Sequence, residues 1–174
     1  MKKFFSLVIL VLSFGLVFTH CSSDDDNDYY REDRDTVAEI YEFPNQIFLY
    51  DPALDEFYLR YDFQLFSGEN LLIYIKSGED NGAVWKLLPN YANYIENNTA
   101  YPMNYNYDFT DYDFEITAWG NSTPPNLVAT FRVVVIPGYF AQYKGAAPPV
   151  DYNDYHAVID YFKIDESKIK VLKP

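Results

Sequence analysis

The chain has one cysteine, two histidines and seven glycines in 174 residues, and each shortage removes a class of chemistry. Cys21 alone cannot close a disulfide within the chain. His20 lies in the leader described below, so His156 is the one imidazole left to the mature protein. Zinc centres assembled from several Cys and His side chains are excluded by that count. A Ser-His-Asp relay would depend on His156, and the strained Gly-x-Ser-x-Gly turn that presents such a serine is missing. His156 reads instead as an exposed residue on a short helix. No glycine-rich loop of the kind that cradles phosphate is present either. Basic residues are scarce, 13 against 26 acidic ones. Such a balance repels phosphate backbones, so nucleic acid is not an expected partner.

What is present begins with the leader. Lys2 and Lys3 precede an apolar run from Phe4 to Phe18, and Cys21 follows it. As a helix that run spans about 22 Å, against the roughly 30 Å of a hydrocarbon core. It is short for a permanent span, and residues 1–20 read as a lipoprotein signal peptide. Ordinary signal cleavage wants small residues one and three positions before the cut, where this chain has His20 and Phe18. The lipoprotein route instead needs the cysteine, whose thiol takes a diacylglyceryl group before cleavage. Cys21 is therefore the expected lipidation site. Each buried CH₂ of its palmitate-type chains contributes about 0.8 kcal/mol, and two or three chains hold a protein durably at a membrane.

Residues 21–35 form the second segment. Ser22 to Asp35 is polar, acidic and free of aliphatic side chains, so it cannot bury enough surface to order itself and reads as a tether. Fully extended, its fourteen residues reach about 50 Å at most. With Lys2 and Lys3 removed, eleven basic residues face the 26 acidic ones, a net charge near −15.

Residues 36–174 are long enough for one domain with one core. The chain carries 18 Tyr and 14 Phe, residues that favour strands. Strand patterns run over Thr36–Phe43 (ended by Pro44), Gln46–Tyr50, Glu56–Phe66 and Ala83–Leu88. Leu71–Lys76 is continuously apolar, as in a buried central strand. Met103–Phe109 and Tyr112–Ala118 alternate strictly about a short polar link and read as a hairpin. Leu127–Ile136 is long and β-branched. Tyr152, Tyr155, Val158 or Ile159, and Phe162 recur at helical spacing after Asp151, the expected N-cap. Ile164–Leu172 closes as a last short strand. The expected fold is all-β: an antiparallel two-layer β-sandwich with one short C-terminal helix, with a β-barrel as the alternative.

Four segments carry a resemblance: Val84-Trp85-Lys86-Leu87-Leu88-Pro89, Tyr105-Asn106-Tyr107-Asp108-Phe109-Thr110, Phe131-Arg132-Val133-Val134-Val135-Ile136-Pro137 and Asp151-Tyr152-Asn153-Asp154-Tyr155-His156-Ala157-Val158. Together, over roughly Thr36 to Phe162, they resemble a group of small secreted or lipid-anchored β-domain proteins of Bacteroidetes-type bacteria. Some of that group carry collagen-like segments, which this chain replaces with its acidic tether. The leader, with Ser22-Ser23-Asp24-Asp25-Asp26 after Cys21, is similar to the lipoprotein export signals of such bacteria. The resemblance implies an outer-membrane, lipid-anchored, surface-exposed protein and a fold. It carries over no catalytic residues.

Candidate sites are few. Tyr91, Tyr94, Tyr101, Tyr139 and Tyr143 fall in predicted loops, where function tends to reside, and tyrosine stacks on sugar faces and adhesive partners. Tyr91, Tyr94, Tyr139 and Tyr143 are the binding candidates, while Trp85 and Trp119 read as core. Asp151, Asn153 and Asp154 offer hard oxygen ligands for calcium, against a simpler role in helix capping. Asp111, Asp113 and Glu115 line one strand face and read as solvated rather than as a hydrolytic pair. No cofactor is expected. The expected function is a non-catalytic cell-surface module that binds glycan or protein. The alternative is a structural or accessory subunit of an envelope complex, and a small hydrolase ranks last.

Overall fold

The computed structural model describes residues 37–78, 83–137 and 150–172. Within them the chain forms β1 (Glu39–Ile47), β2 (Leu49–Asp51), β3 (Glu56–Asp62), β4 (Asn70–Lys76), β5 (Trp85–Leu87), β6 (Asn90–Glu96), β7 (Thr99–Phe109), β8 (Asp113–Gly120), β9 (Val128–Ile136), α1 (Tyr155–Phe162) and β10 (Lys170–Val171), with a single 3-10 turn over Glu166–Lys168 before β10. Among these residues no helix is long and apolar enough to cross a membrane.

The strands assemble as two five-stranded sheets, ordered β10-β1-β9-β4-β5 and β2-β3-β8-β7-β6. Every pairing is antiparallel except that of β10 with β1. Both sheets end in edges, so the architecture is the sandwich and not the barrel. Alternate residues of the two inner faces meet in one core. Phe43, Phe57, Leu59, Ile73, Phe114, Ile116, Phe131 and Val133 are among its buried members. Each such side chain contributes roughly 1.5–3 kcal/mol by leaving water. Phe114 sits within 6 Å of three other rings, Phe43, Tyr61 and Phe63.

A second, smaller core lies on the far side of the first sheet. Ile40, Leu72, Tyr74, Trp85, Val134 and Ile136 point away from the sandwich and are covered by Tyr155, Val158 and Ile159 of α1. This third layer explains the unbroken apolar run of β4, where alternate residues enter different cores. Arg132 ties the layer down. Its guanidinium donates to Glu42 at 2.8 Å and Glu166 at 2.6 Å, contacts the Tyr155 hydroxyl and lies 4.3 Å from the Trp85 ring centre. Tyr74 donates its hydroxyl to the Tyr152 carbonyl at 2.8 Å.

Several boundaries differ from the sequence reading, each for a local reason. β1 does not stop at Pro44. It runs through a bulge between Phe43 and Gln46, where Asn45 takes φ 50° and absorbs the extra residue. Gln46, 3% exposed, is satisfied there by donating to the Pro44 carbonyl and accepting from the Tyr61 hydroxyl. The α1 N-cap is Asp154, whose carboxylate accepts from the Ala157 N–H; Asp151 lies one turn earlier. Only Lys170–Val171 of the expected Ile164–Leu172 strand pairs with a sheet. Asp111 lies in the link before β8, not on that strand. Tyr91 and Tyr94, expected in a loop, lie on the edge strand β6.

Connections fix two ends. Glu39 of β1 enters beside Val135 at the end where β3 leaves for β4 and where β7 turns into β8. The opposite end gathers the β1–β2 crossing and the loop from Gly120 to Leu127, joined by the Phe48 N–H donating to the Leu127 carbonyl at 2.9 Å.

Candidate functional site

β5 runs along the edge of the first sheet, and the chain then crosses at the cis peptide Leu88–Pro89 to begin β6 at the edge of the second. In β6 successive side chains alternate: Ala92 and Tyr94 pack against the sandwich core, so Tyr91, Asn93 and Ile95 point outward. On β7 and β8 the same parity turns Asn104, Asn106, Thr117 and Trp119 outward, because Met103, Tyr105, Ile116 and Ala118 are buried.

Register then lines these residues up. Tyr91 stands opposite Asn104, and Asn104 opposite Trp119. Neighbouring strands lie about 4.8 Å apart, so the two aromatic residues start about 10 Å apart with an amide between them. Tyr91 is 58% exposed and Trp119 42%. One row further along, Asn106 stands opposite Thr117, and Thr117 opposite Tyr58. A shallow depression of about 390 Å³ opens here, lined by Tyr91, Asn104, Asn106 and Trp119 with Pro89 and Asn90. Gly120 lets the end of β8 approach closely: a β-carbon there would stand 2.4 Å from the Pro102 carbonyl oxygen.

Round the β6 edge the gap between the sheets forms a second and larger recess, about 570 Å³. Tyr91, Asn93, Tyr94 and Tyr105 line it from one sheet, Lys76, Lys86 and Thr130 from the other. Burial pushes the Tyr105 and Tyr94 hydroxyls above the ordinary tyrosine range, so both remain protonated donors at neutral pH.

Tyr91 and Tyr94 are not in a loop; they sit on β6, on opposite faces, and both reach the recess because it wraps the strand edge. Tyr101 also lies on a strand and packs against Tyr94, ring centres 6.3 Å apart. Tyr139 and Tyr143 lie outside the described residues, as does Cys21. Trp85 is buried as expected, but beneath α1 and not between the sheets. Trp119 is an exposed residue of the outer face, contrary to the core assignment. Its position was readable in principle: an alternation that buries Ile116 and Ala118 must turn Trp119 out.

Asp151, Asp154, Asp113 and Glu115 are committed to local structure. Asp151 accepts from the backbone and side-chain N–H groups of Asn153, both at 3.0 Å, which holds its carboxyl below the usual range. Asp154 caps α1. Asp113 accepts from the Thr110 hydroxyl. Glu115 pairs with Arg60 at 2.7 Å. Among the described residues no group of three His, Cys, Asp or Glu side chains is poised to hold a metal ion. His156 is exposed on α1, its ring 5.3 Å from that of Tyr155. Comparison with protein-family models, curated proteins and solved structures finds no match for this chain.

Proposed function

We propose that the domain is a non-catalytic glycan-binding module, and that its ligand lies across the outer face of the second sheet. The observation that carries this reading is the row Tyr91–Asn104–Trp119. Pyranose rings offer an apolar C–H face to an aromatic ring and hydroxyls to an amide. Two exposed aromatic residues on strands about 10 Å apart, with Asn104 between and Asn106 beside, suit two positions along a sugar chain. The reading keeps Tyr91 from the sequence analysis and adds Trp119, Asn104 and Asn106.

In the same proposal Cys21 carries acyl chains and the acidic tether holds the domain off the outer membrane at the cell surface. The tether joins β1 at one end of the sandwich, while Tyr91 and Trp119 lie toward the other. A lipid-held domain would then present the row away from its anchor.

Polysaccharide pull-down and affinity electrophoresis test the reading. The wild-type domain is expected to be retained by at least one glycan. Tyr91→Ala and Trp119→Ala should each weaken retention about tenfold or more, with unchanged circular dichroism. Retention equal to wild type in the double variant overturns it.

A further inference from the structure

The recess beside the aromatic row has a composition at odds with the rest of the protein. The chain has twice as many acidic as basic residues, yet no described residue lining the recess is Asp or Glu, and two are lysines. Lys86 is the informative one. It pairs with Ile75 in register, and Ile75 is buried in the sandwich core, so Lys86 occupies an inward-facing position on an edge strand. Its side chain is exposed because the facing edge, β6, leaves the gap between the sheets open. Across that gap stands Tyr94, with Tyr105 at the side and Tyr91 at the rim, on the opposite face of β6. Lys76 already has a partner of its own.

The geometry points to an acid-sugar subsite in this recess: a hexuronate or other carboxylated pyranose whose ring lies against Tyr94 at the β6 edge and whose carboxylate pairs with Lys86. This rests on the glycan-binding reading and deepens it, since Tyr91 belongs to both surfaces and would pass one chain from the outer face into the recess. The protein's overall negative charge does not forbid an anionic ligand here. At physiological salt the field of charges beyond about 8 Å is largely screened, while a lysine in contact is not. An inward-facing lysine also protects an edge strand from pairing with another chain. That role alone would change self-association and leave ligand preference untouched.

The test is a glycan array spanning neutral and carboxylated oligosaccharides. It is followed by titration with a matched pair, oligogalacturonate and its carboxyl-reduced form, at low and physiological salt. The expected result is about tenfold tighter binding of the acidic member, an advantage that shrinks as salt rises. Lys86→Gln should erase that advantage and leave neutral binding unchanged, whereas Tyr91→Ala should weaken both. Equal affinity for the pair, or a preference that survives in Lys86→Gln, overturns the acid-sugar subsite and leaves the outer-face reading standing. No binding to any array member by folded protein overturns both. Size-exclusion chromatography run alongside separates an edge-protecting effect, which would appear as association of Lys86→Gln without a change in preference.

Discussion

The two sheets have equal strand numbers and opposite circumstances. The first is buried on both faces, by the sandwich core on one side and by α1 on the other; the second is buried on one face and meets water on the other. Their sequences differ accordingly. β4 and the end of β9 are apolar without interruption, whereas β7 and β8 alternate. A bare sheet face is normally filled with charged and small polar side chains. Near Arg60 and Glu115 the second sheet follows that rule, and at Tyr91 and Trp119 it departs from it. Large rings held in water on a rigid scaffold do little for folding, and the glycan reading proposed above rests on finding two of them in register on one face.

The contrast can be broken by substitution at matching places. Leu72→Ala, on the outer face of the first sheet, should cost about 3 kcal/mol, because the space under α1 cannot collapse fully. Asn106→Ala, on the outer face of the second, should cost under about 0.5 kcal/mol. Urea unfolding monitored by circular dichroism gives both values, and equal costs would deny that the faces differ. Arg132→Ala should follow at about 2–3 kcal/mol, since it strands Glu42 and Glu166 and removes the stack on Trp85; the Arg132 side chain is only 15% exposed. Its unfolding should begin with release of α1, seen as early loss of amide-exchange protection over Tyr155–Phe162.

Alkaline pH acts on the buried tyrosines. Burial raises Tyr74 and Tyr155 in the helix layer and Tyr105 in the sandwich above their ordinary value near 10. The folded state therefore holds these protons more tightly than the unfolded chain. Stability from them is complete below about pH 10 and is lost as the pH climbs past it, where only the unfolded chain ionises freely. The urea midpoint should be flat from about pH 7 to 9 and fall above 10. Tyr105→Phe should fall less steeply than wild type; an identical slope would assign the loss elsewhere. The smallest stability effect belongs to the surface row, where Trp119→Ala should leave the urea midpoint almost unchanged while glycan retention drops. A large loss of stability in that variant would make the ring a packing element after all.

Legibility followed burial. The β7–β8 hairpin and the β4 run were plain because one buried face imposes period two and two buried faces impose continuous apolarity. β6 is illegible for the complementary reason: its inner positions are Asn90, Ala92, a half-buried Tyr94 and Glu96, so Asn-Tyr-Ala-Asn-Tyr-Ile-Glu shows no hydrophobic alternation. Trp119 reads as core by residue type, whereas its parity on β8 places it outside. The candidate site was half visible. Tyr91 and Tyr94 could be picked as tyrosines outside the obvious strands, but Asn104 and Trp119 join Tyr91 only through cross-strand register.

By itself the amino-acid sequence determined the all-β class, the main hairpin and the terminal helix, because hydrophobic period and turn residues act over a few neighbours along the chain. Tertiary structure decided which sheet receives the helix, which face stays bare, and that Lys86 of one sheet faces the edge strand that carries Tyr94 in the other. Those facts depend on how strands separated by tens of residues pair and stack, and no local pattern encodes that pairing.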